Sequence, residues 1–512
     1  MKAHSQPVET VSTKQWIAVI GAILGAFMAI LDISITNASL QDIQGGLSAT
    51  LDEGAWISTA YLVAEIIVIP MTGWLSQVFG LRRYLVCNAA IFIVASMLCG
   101  LAWSLPAMIA FRVVQGFTGG VLIPLAVNVI LTQLPKSRHP LGMTLFSIAA
   151  SLAPCLGPTI GGWLTVNFSW PLVFYINLVP GILLIALVTK GLDNTSARPE
   201  LLEHGDWWGI ASLAAALGSL TVVLEEGVRK DWFESDLISG LAVLCAVSGA
   251  VFLFIELRNP KPFINIRLLA RRNFLFVSLA STVFGFGIYG SVFILPLFLA
   301  QIGRLDASQI GSILLWAGLP QLAVLPFMPG LVRRFDNRFL ASLGMALFGI
   351  SAMMNSTLTK DWAHDQFLWS QIVRAVGQTL IITPLNSLAF AGLEGSEVGS
   401  ASGLFNMLRN LGGSVGIGAL GATLALRYHL HFTRLAEATS RFSVAAQNGL
   451  AEAAATGKHF PLGAIFKAMN RESFVMAYSD CFFLIGTLFF LGALLIFAVK
   501  PAVGANTEVV GH

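Results

Sequence analysis

Charged side chains are scarce in this chain. Asp, Glu, Lys and Arg make up only 11% of its 512 residues, while apolar residues supply 56% and the mean hydropathy is +0.77. That balance excludes a soluble domain for most of the length. Cysteine is also rare, and the five present (Cys87, Cys99, Cys155, Cys245 and Cys481) lie isolated within apolar runs, which excludes a disulfide framework. All eight histidines fall outside those runs, so the usual ligands of a buried metal or haem are missing. His429 and His431 form a pair at even spacing but are not read as a metal site. No phosphate-binding loop, redox-cofactor signature or nucleophile arrangement is apparent, so neither an enzyme nor a cofactor is expected.

What the chain has instead is apolar length. Runs able to cross a hydrocarbon core of about 30 Å as helices recur at 16–37, 54–75, 84–103, 106–131, 141–165, 172–190, 207–227, 236–256, 274–300, 309–331, 339–358, 367–391, 402–426 and 474–499. The expectation is an all-α polytopic membrane protein with fourteen spans. Met1 to Gln15 is too polar before the first run to read as a cleaved signal, so the first span is expected to stay. An even number of spans puts both termini on one side. Placing them in the cytoplasm assigns 17 of the 30 Lys and Arg to cytoplasmic segments, 4 to short outer loops, 6 to the long segment 427–473 and 3 to the spans. The net charge of +3 is explained by this asymmetry and gives no support for nucleic-acid binding. One cytoplasmic loop, around Glu394 and Glu397, lacks a basic residue.

Short internal echoes point to duplication. Met71-x-Gly73 ahead of Arg82-Arg83 is answered by Met328-x-Gly330 ahead of Arg333, Arg334 and Arg338. FRVVQG at 111–116 with Pro124-Leu125 is answered by VRAVGQ at 373–378 with Pro384-Leu385. Two pseudo-equivalent bundles that rock against each other would carry such symmetry. The expected division is an N-terminal six-helix bundle over 1–190, a linker with two extra spans over 191–273, and a C-terminal six-helix bundle over 274–512.

The segment SLAPCLGPTIGGW at 151–163 places Pro154, Gly157, Pro158, Gly161 and Gly162 inside an apolar run. Proline removes a backbone donor and glycine admits close helix contact, so the segment reads as a kinked, tightly packed moving part.

Gly157-Pro158-x-x-Gly161-Gly162 resembles the antiporter signature on the fifth span of exporters in the major facilitator superfamily. Further matching stretches are AILDISITNASL at 29–40, GWLSQVFGLRR at 73–83, FRVVQGFTGGVLIPL at 111–125, WPLVFYINLVPG at 170–181, DWF at 231–233 and NMLRNLGGSVG at 406–416. Over nearly its whole length the chain resembles the fourteen-span drug/proton antiporter branch, closer to EmrB-like inner-membrane pumps than to QacA-like ones. The resemblance implies a major facilitator fold and a conformational loop motif at Gly73, Gly80, Arg82 and Arg83. That motif departs from the family pattern: Gln77-Val78 stands where an acidic and a basic residue are usual, and Leu81 replaces a further basic one. A lock through the acidic position must here use other contacts or be weaker.

A charge at mid-membrane costs on the order of 2.5–3.5 kcal/mol on insertion scales, so each one needs a reason. Asp32 falls at the family's first-helix acidic motif and is the first proton-coupling candidate. Glu65, in the middle of the second span and at no recognised family position, is the second. Arg112 matches the family's fourth-helix arginine, for which proton transfer is implied, and Asp32 or Glu65 would neutralise it. Arg374 and Arg409 read as holding bundles together or satisfying helix ends, or, with Glu225, as further coupling charges. Glu225 and Glu226, ending the seventh span, read as interfacial carboxylates, and Glu256 and Asp480 read similarly.

The segment 427–473, outside the cytoplasm in this topology, favours helix and is either a passive loop or a docking surface. The implied partners are protons, hydrophobic or amphipathic small molecules, a periplasmic adaptor and an outer-membrane channel. The resulting expectation is proton-gradient-driven multidrug efflux across the inner membrane. The alternatives are a dedicated exporter of one product, such as a fatty acid or siderophore, and a membrane sensor or enzyme on a transporter-like body.

Overall fold

A computed structural model describes residues 11–500 apart from 195, 204, 260–263, 306, 363, 394 and 439–461. Helices stand at each of the fourteen expected positions: α1 Thr13–Ala38, α2 Trp56–Phe79, α3 Leu81–Gly100, α4 Leu105–Gln133, α5 His139–Asn167, α6 Leu172–Gly191, α7 Trp207–Glu226, α8 Asp236–Arg258, α9 Arg272–Gln301, α10 Gln309–Arg334, α11 Asn337–Asn355, α12 His364–Ala389, α13 Gly395–Ala438 and α14 Leu462–Ile496. Helices are what apolar runs must form where no water can satisfy backbone groups. Ser12 opens α1 with a capping box to Gln15, and Ser104 and Asp206 cap α4 and α7.

Eleven of these helices are by themselves long and apolar enough to cross a membrane, and α5 makes twelve if its halves, Leu141–Pro154 and Leu156–Asn167, form one span bent by 40°. The other two, α12 and α13, are diluted by polar residues. Gln371, Arg374, Gln378, Asn386 and Asn406 are all buried, so the polarity is turned into the protein and away from lipid.

Helices α1 to α6 pack as one six-helix bundle and α9 to α14 as the second, with α7 and α8 as an added pair. The bundles meet along two seams. On one, α5 lies against α10 and α12; on the other, α13 lies against α2 and α4. The added helix α7 fills the second seam: Gly218 faces Val63 and Ile67 of α2, and Gly418 of α13 faces Leu224.

The duplication is visible in the backbone. Helix α2 tightens to a 3-10 turn at Ile69–Met71 around Pro70, and α10 does the same at Leu325–Phe327 around Pro326. Proline takes a donor out of each ladder within one residue of the same place in the repeat.

At the end of α2, Gly80 holds φ +81°. A side chain is strained there, so Gly80→Ala is expected to destabilise the fold by about 1–3 kcal/mol, measured as a lowered midpoint of thermal unfolding in detergent. Among the described residues Gln77 donates only to Gly73 O of its own helix, at 3.4 Å, and so forms no lock between bundles there. Arg82 is half-buried and Arg83 exposed. The loop that lacked a basic residue is compensated from elsewhere: Glu397 takes a two-pronged contact from Arg271, at 2.6 and 3.0 Å.

The segment 427–473 is more helical than a loop. Helix α13 continues to Ala438 and α14 starts at Leu462, so both extend beyond the expected spans; 439–461 lies outside the described residues. His431 meets Asp480 at 2.7 Å rather than pairing with His429, and Arg427 meets the same carboxylate at 2.6 Å.

Candidate functional site: buried charges between the bundles

Asp32 and Arg112 come together at the centre of the N-terminal bundle. Arg112 Nη1 donates to Asp32 Oδ2 at 2.6 Å and to Gln115 Oε1 at 2.7 Å, and its Nε donates to Ile57 O at 3.1 Å. Asp32 Oδ1 accepts from Gln115 Nε2 at 2.9 Å and from Asn177 Nδ2 at 2.6 Å. Ser96 Oγ accepts from the same two amides, at 2.7 and 3.2 Å. The Arg112 guanidinium lies over the Tyr61 ring, 4.3 Å from its centroid. Both partners are buried, with side-chain exposure of 1% and 0%. Helices α1 to α4 and the break within α6 at Asn177 are thereby tied at one point, and both Asp32 oxygens are occupied by donors.

Gln115, Ser96, Asn177 and Tyr61 were not singled out by sequence reasoning. Gln115 had a signal, since it sits three residues after Arg112 on the same helical face. Asn177 lies in the quoted WPLVFYINLVPG stretch, but its reach to α1 is a tertiary fact.

Glu65 has different surroundings. It is 4% exposed, makes no hydrogen bond to any described residue, and its Oε1 is a buried oxygen without a partner. Its position is set by glycines on α4: a Cβ on Gly116 would lie 2.4 Å from Tyr61 O, and one on Gly120 would lie 3.0 Å from Glu65 Cα. The stripe Gly116-x-x-Gly119-Gly120 lets α2 lie against α4, with Glu65 Cγ over Gly120. Arg409 of α13 and Tyr289 of α9 lie within electrostatic reach of Glu65.

Arg409 is half-buried and forms no hydrogen bond with the described residues, so it satisfies no helix end there. Arg374 lies within the C-terminal bundle, 5.6 Å from the Phe348 ring centroid and 3.4 Å from Gln371 Oε1. That is a packing position.

The carboxylates at the end of α7 differ from the interfacial reading. Glu226 is fully buried and accepts from Thr59 Oγ1 of α2 at 3.1 Å and from Arg229 at 3.3 Å; Glu225 also carries a buried oxygen without a partner. The reason is that α7 fills the seam between bundles, so its end points into protein. Glu256 is likewise buried and accepts from the backbone N–H of Ile264 at 3.3 Å.

The proline and glycine cluster of α5 serves two contacts. Gly157 and Gly161 pack on Ser34 and Ile35 of α1, and Thr159 abuts Gly311 of α10 across the seam, where a Cβ would lie 2.5 Å from Thr159 Oγ1. Pro154 stands at the bend between the two halves of the helix, and Pro158 and Gly162 lie within its second half.

The family model that matches the chain covers residues 22–417 and is described as the Major Facilitator Superfamily. The chain belongs to that superfamily. This facilitator is 32% identical to "Colistin resistance protein EmrB" of Acinetobacter baumannii over 94% of its own length and 95% of the relative's. It is 31% identical to "Multidrug export protein EmrB" of Haemophilus influenzae, over 94% and 95%. Among solved structures, the proton:xylose symporter XylE aligns with a TM-score of 0.63 at 12% identity, over 96% of this facilitator and 97% of that chain, which shows the shared fold. The superfamily makes this facilitator a secondary transporter and not an enzyme. Multi-pass membrane insertion follows from its helices.

Proposed function

We propose that the chain is a proton-coupled antiporter that exports hydrophobic or amphipathic compounds across a bacterial inner membrane, with both termini in the cytoplasm. The name of the Haemophilus relative supports the multidrug reading and that of the Acinetobacter relative, colistin resistance, supports a resistance role, and the loop charges support the orientation. The observation that carries the coupling is Glu65, a buried carboxyl with an unpartnered oxygen on α2, the helix that meets α13 of the second bundle. A group that takes up and releases a proton needs a free lone pair and a route that opens with the bundles. Glu65 has the first, and its place between bundles gives it the second. Asp32 is already held by three donors on its two oxygens and lies within one bundle; its role is to neutralise Arg112 and fix the bundle. This reverses the order of the two candidates. The proline-glycine cluster of α5 supplies the pliant seam about which the bundles rock.

We further propose that the pump works with a periplasmic adaptor and an outer-membrane channel. Helix α13 has 44 residues, about 66 Å of helix against a core of about 30 Å. Its extension and that of α14 offer a surface outside the bilayer.

The test is uptake of a lipophilic dye into inverted vesicles energised by a proton gradient. Glu65→Gln is expected to abolish gradient-driven uptake while still exchanging dye down its own gradient. Retention of uncoupler-sensitive accumulation in Glu65→Gln would remove Glu65 from the mechanism, and absence of gradient-driven uptake of every dye by the intact protein would remove the antiport reading. A profile limited to one chemical compound would replace the multidrug reading with a dedicated exporter.

A further inference from the structure

Asp32 and Arg112 belong to one bundle and are 2.6 Å apart, so rocking of the bundles leaves their separation unchanged. Glu65 and Arg409 are different: they carry opposite charges and belong to different bundles. Helices α2 and α13, an even-numbered and an odd-numbered span, run antiparallel and meet where a Cβ on Gly403 would lie 3.3 Å from Pro70 O. From that contact Glu65 is five residues back and Arg409 six residues on. At about 1.5 Å per residue the two rises are about 7.5 and 9 Å, so both side chains stand at one depth. They are within Coulombic reach yet form no ion pair, and neither makes a hydrogen bond with the described residues. Arg409 also moves rigidly with its bundle. Gly285, Gly412 and Gly416 bring α9 and α13 into backbone contact around it, with the Arg409 carbonyl seated against Gly285.

We infer that Arg409 is the counter-charge of Glu65: it draws the two bundles together when Glu65 is ionised and releases them when Glu65 takes up a proton. This rests on the antiport reading above and adds the step that makes exchange obligatory. The chemistry is one proton added to one carboxylate oxygen, with no other bond changed. An antiporter must let its protonated empty form and its substrate-loaded form turn over, and must hold back the ionised empty form. A pair across the bundles does that: protonation removes the attraction, and a substrate seated between the two side chains keeps them apart. Arg409 is thus a positioning residue acting through Glu65. The other charged or titratable groups within electrostatic reach of Glu65 are Asp32 on α1, Tyr61 on its own helix, Arg112 on α4 and Tyr289 on α9; Glu226 of α7, with Glu225 beside it, meets α2 farther along, at Thr59. Of these, Arg112 is already held by Asp32, which leaves Arg409 as the described cation free to answer Glu65.

The experiment uses the full chain in proteoliposomes and reads two quantities. The first is proton conductance without substrate. Intact protein is expected to be tight, Arg409→Met to leak protons at least tenfold faster and lose uphill dye accumulation, and Arg409→Lys to restore most of the coupling. The second is the distance between spin labels at Val166→Cys and Leu426→Cys, both highly exposed and one in each bundle, with Cys87 and Cys245 replaced by Ser. It is expected to change between pH 5.5 and 8 in the intact chain and to stay constant in Glu65→Gln and in Arg409→Met. The label distance needs no transport, so it reports even if the antiport reading fails. A tight Arg409→Met that still accumulates dye, equal behaviour of the Lys and Met variants, or a pH-dependent distance that survives both substitutions would each overturn the inference.

Discussion

Arg112→Met is expected to lower the stability of the protein by about 3–5 kcal/mol, because it leaves the Asp32 carboxylate buried without its charge partner. The loss has further parts. Ile57 O and Gln115 Oε1 each lose a charged donor, at 3.1 and 2.7 Å, and Tyr61 loses the cation on its ring face. Asp32→Leu is expected to be similarly severe for the mirror reason. The decisive comparison is the double variant Asp32→Leu with Arg112→Met, in which both charges go together. A buried ion pair replaced whole by apolar residues is often neutral, so the double variant is expected to recover a large part of the stability lost in either single one. Thermal unfolding in one detergent measures all four proteins. Losses that simply add would show that the two charges are not a unit.

Gly285→Ala is expected to be nearly as damaging, although it adds one carbon. Its Cβ would lie 1.9 Å from the Arg409 carbonyl oxygen and 2.9 Å from the carbon bearing it, and those are backbone atoms that no rotamer change can move aside. Helices α9 and α13 must separate, at an overpacking cost of about 1–3 kcal/mol. Arg409 would be displaced along with α13, so transport is expected to fall further than stability alone explains. Gly240→Ala is the control, since no atom lies within 4 Å of the position its Cβ would take. It is expected to leave both unfolding temperature and dye uptake unchanged. Equal behaviour of the two variants would mean that the α9–α13 contact yields freely.

The spans were readable because hydropathy reports burial in lipid, and it worked wherever one side of a helix faces lipid. It gave least at α12 and α13, whose Gln371, Gln378 and Asn406 are turned inward. The pairing of Asp32 with Arg112 was foreseen as one of two choices, since two opposite charges in apolar helices must find partners. What could not be read was which carboxyl Arg112 would take: that depends on Ile57 O and on the approach of α2 to the glycines of α4. The burial of Glu226 was missed for a related reason. A carboxylate at the end of an apolar run looks solvated until it is known that α7 lies between two bundles. The glycines at 116, 119 and 120 were quoted as a family string; their spacing on one helical face was the unused sign that Glu65 would be held there.

The added helix α7 has a further effect on how a membrane-dissolved compound meets this transporter. By lying between α2 and α13 and fastening to Thr59 through Glu226, it covers the seam between the bundles on that flank from the bilayer. The opposite seam, between α5 and α10, has no additional helix over it among the described residues. The two flanks of the duplicated body are therefore inequivalent: an added helix is packed into one, while α5 against α10 and α12 forms the other, with Thr159 against Gly311.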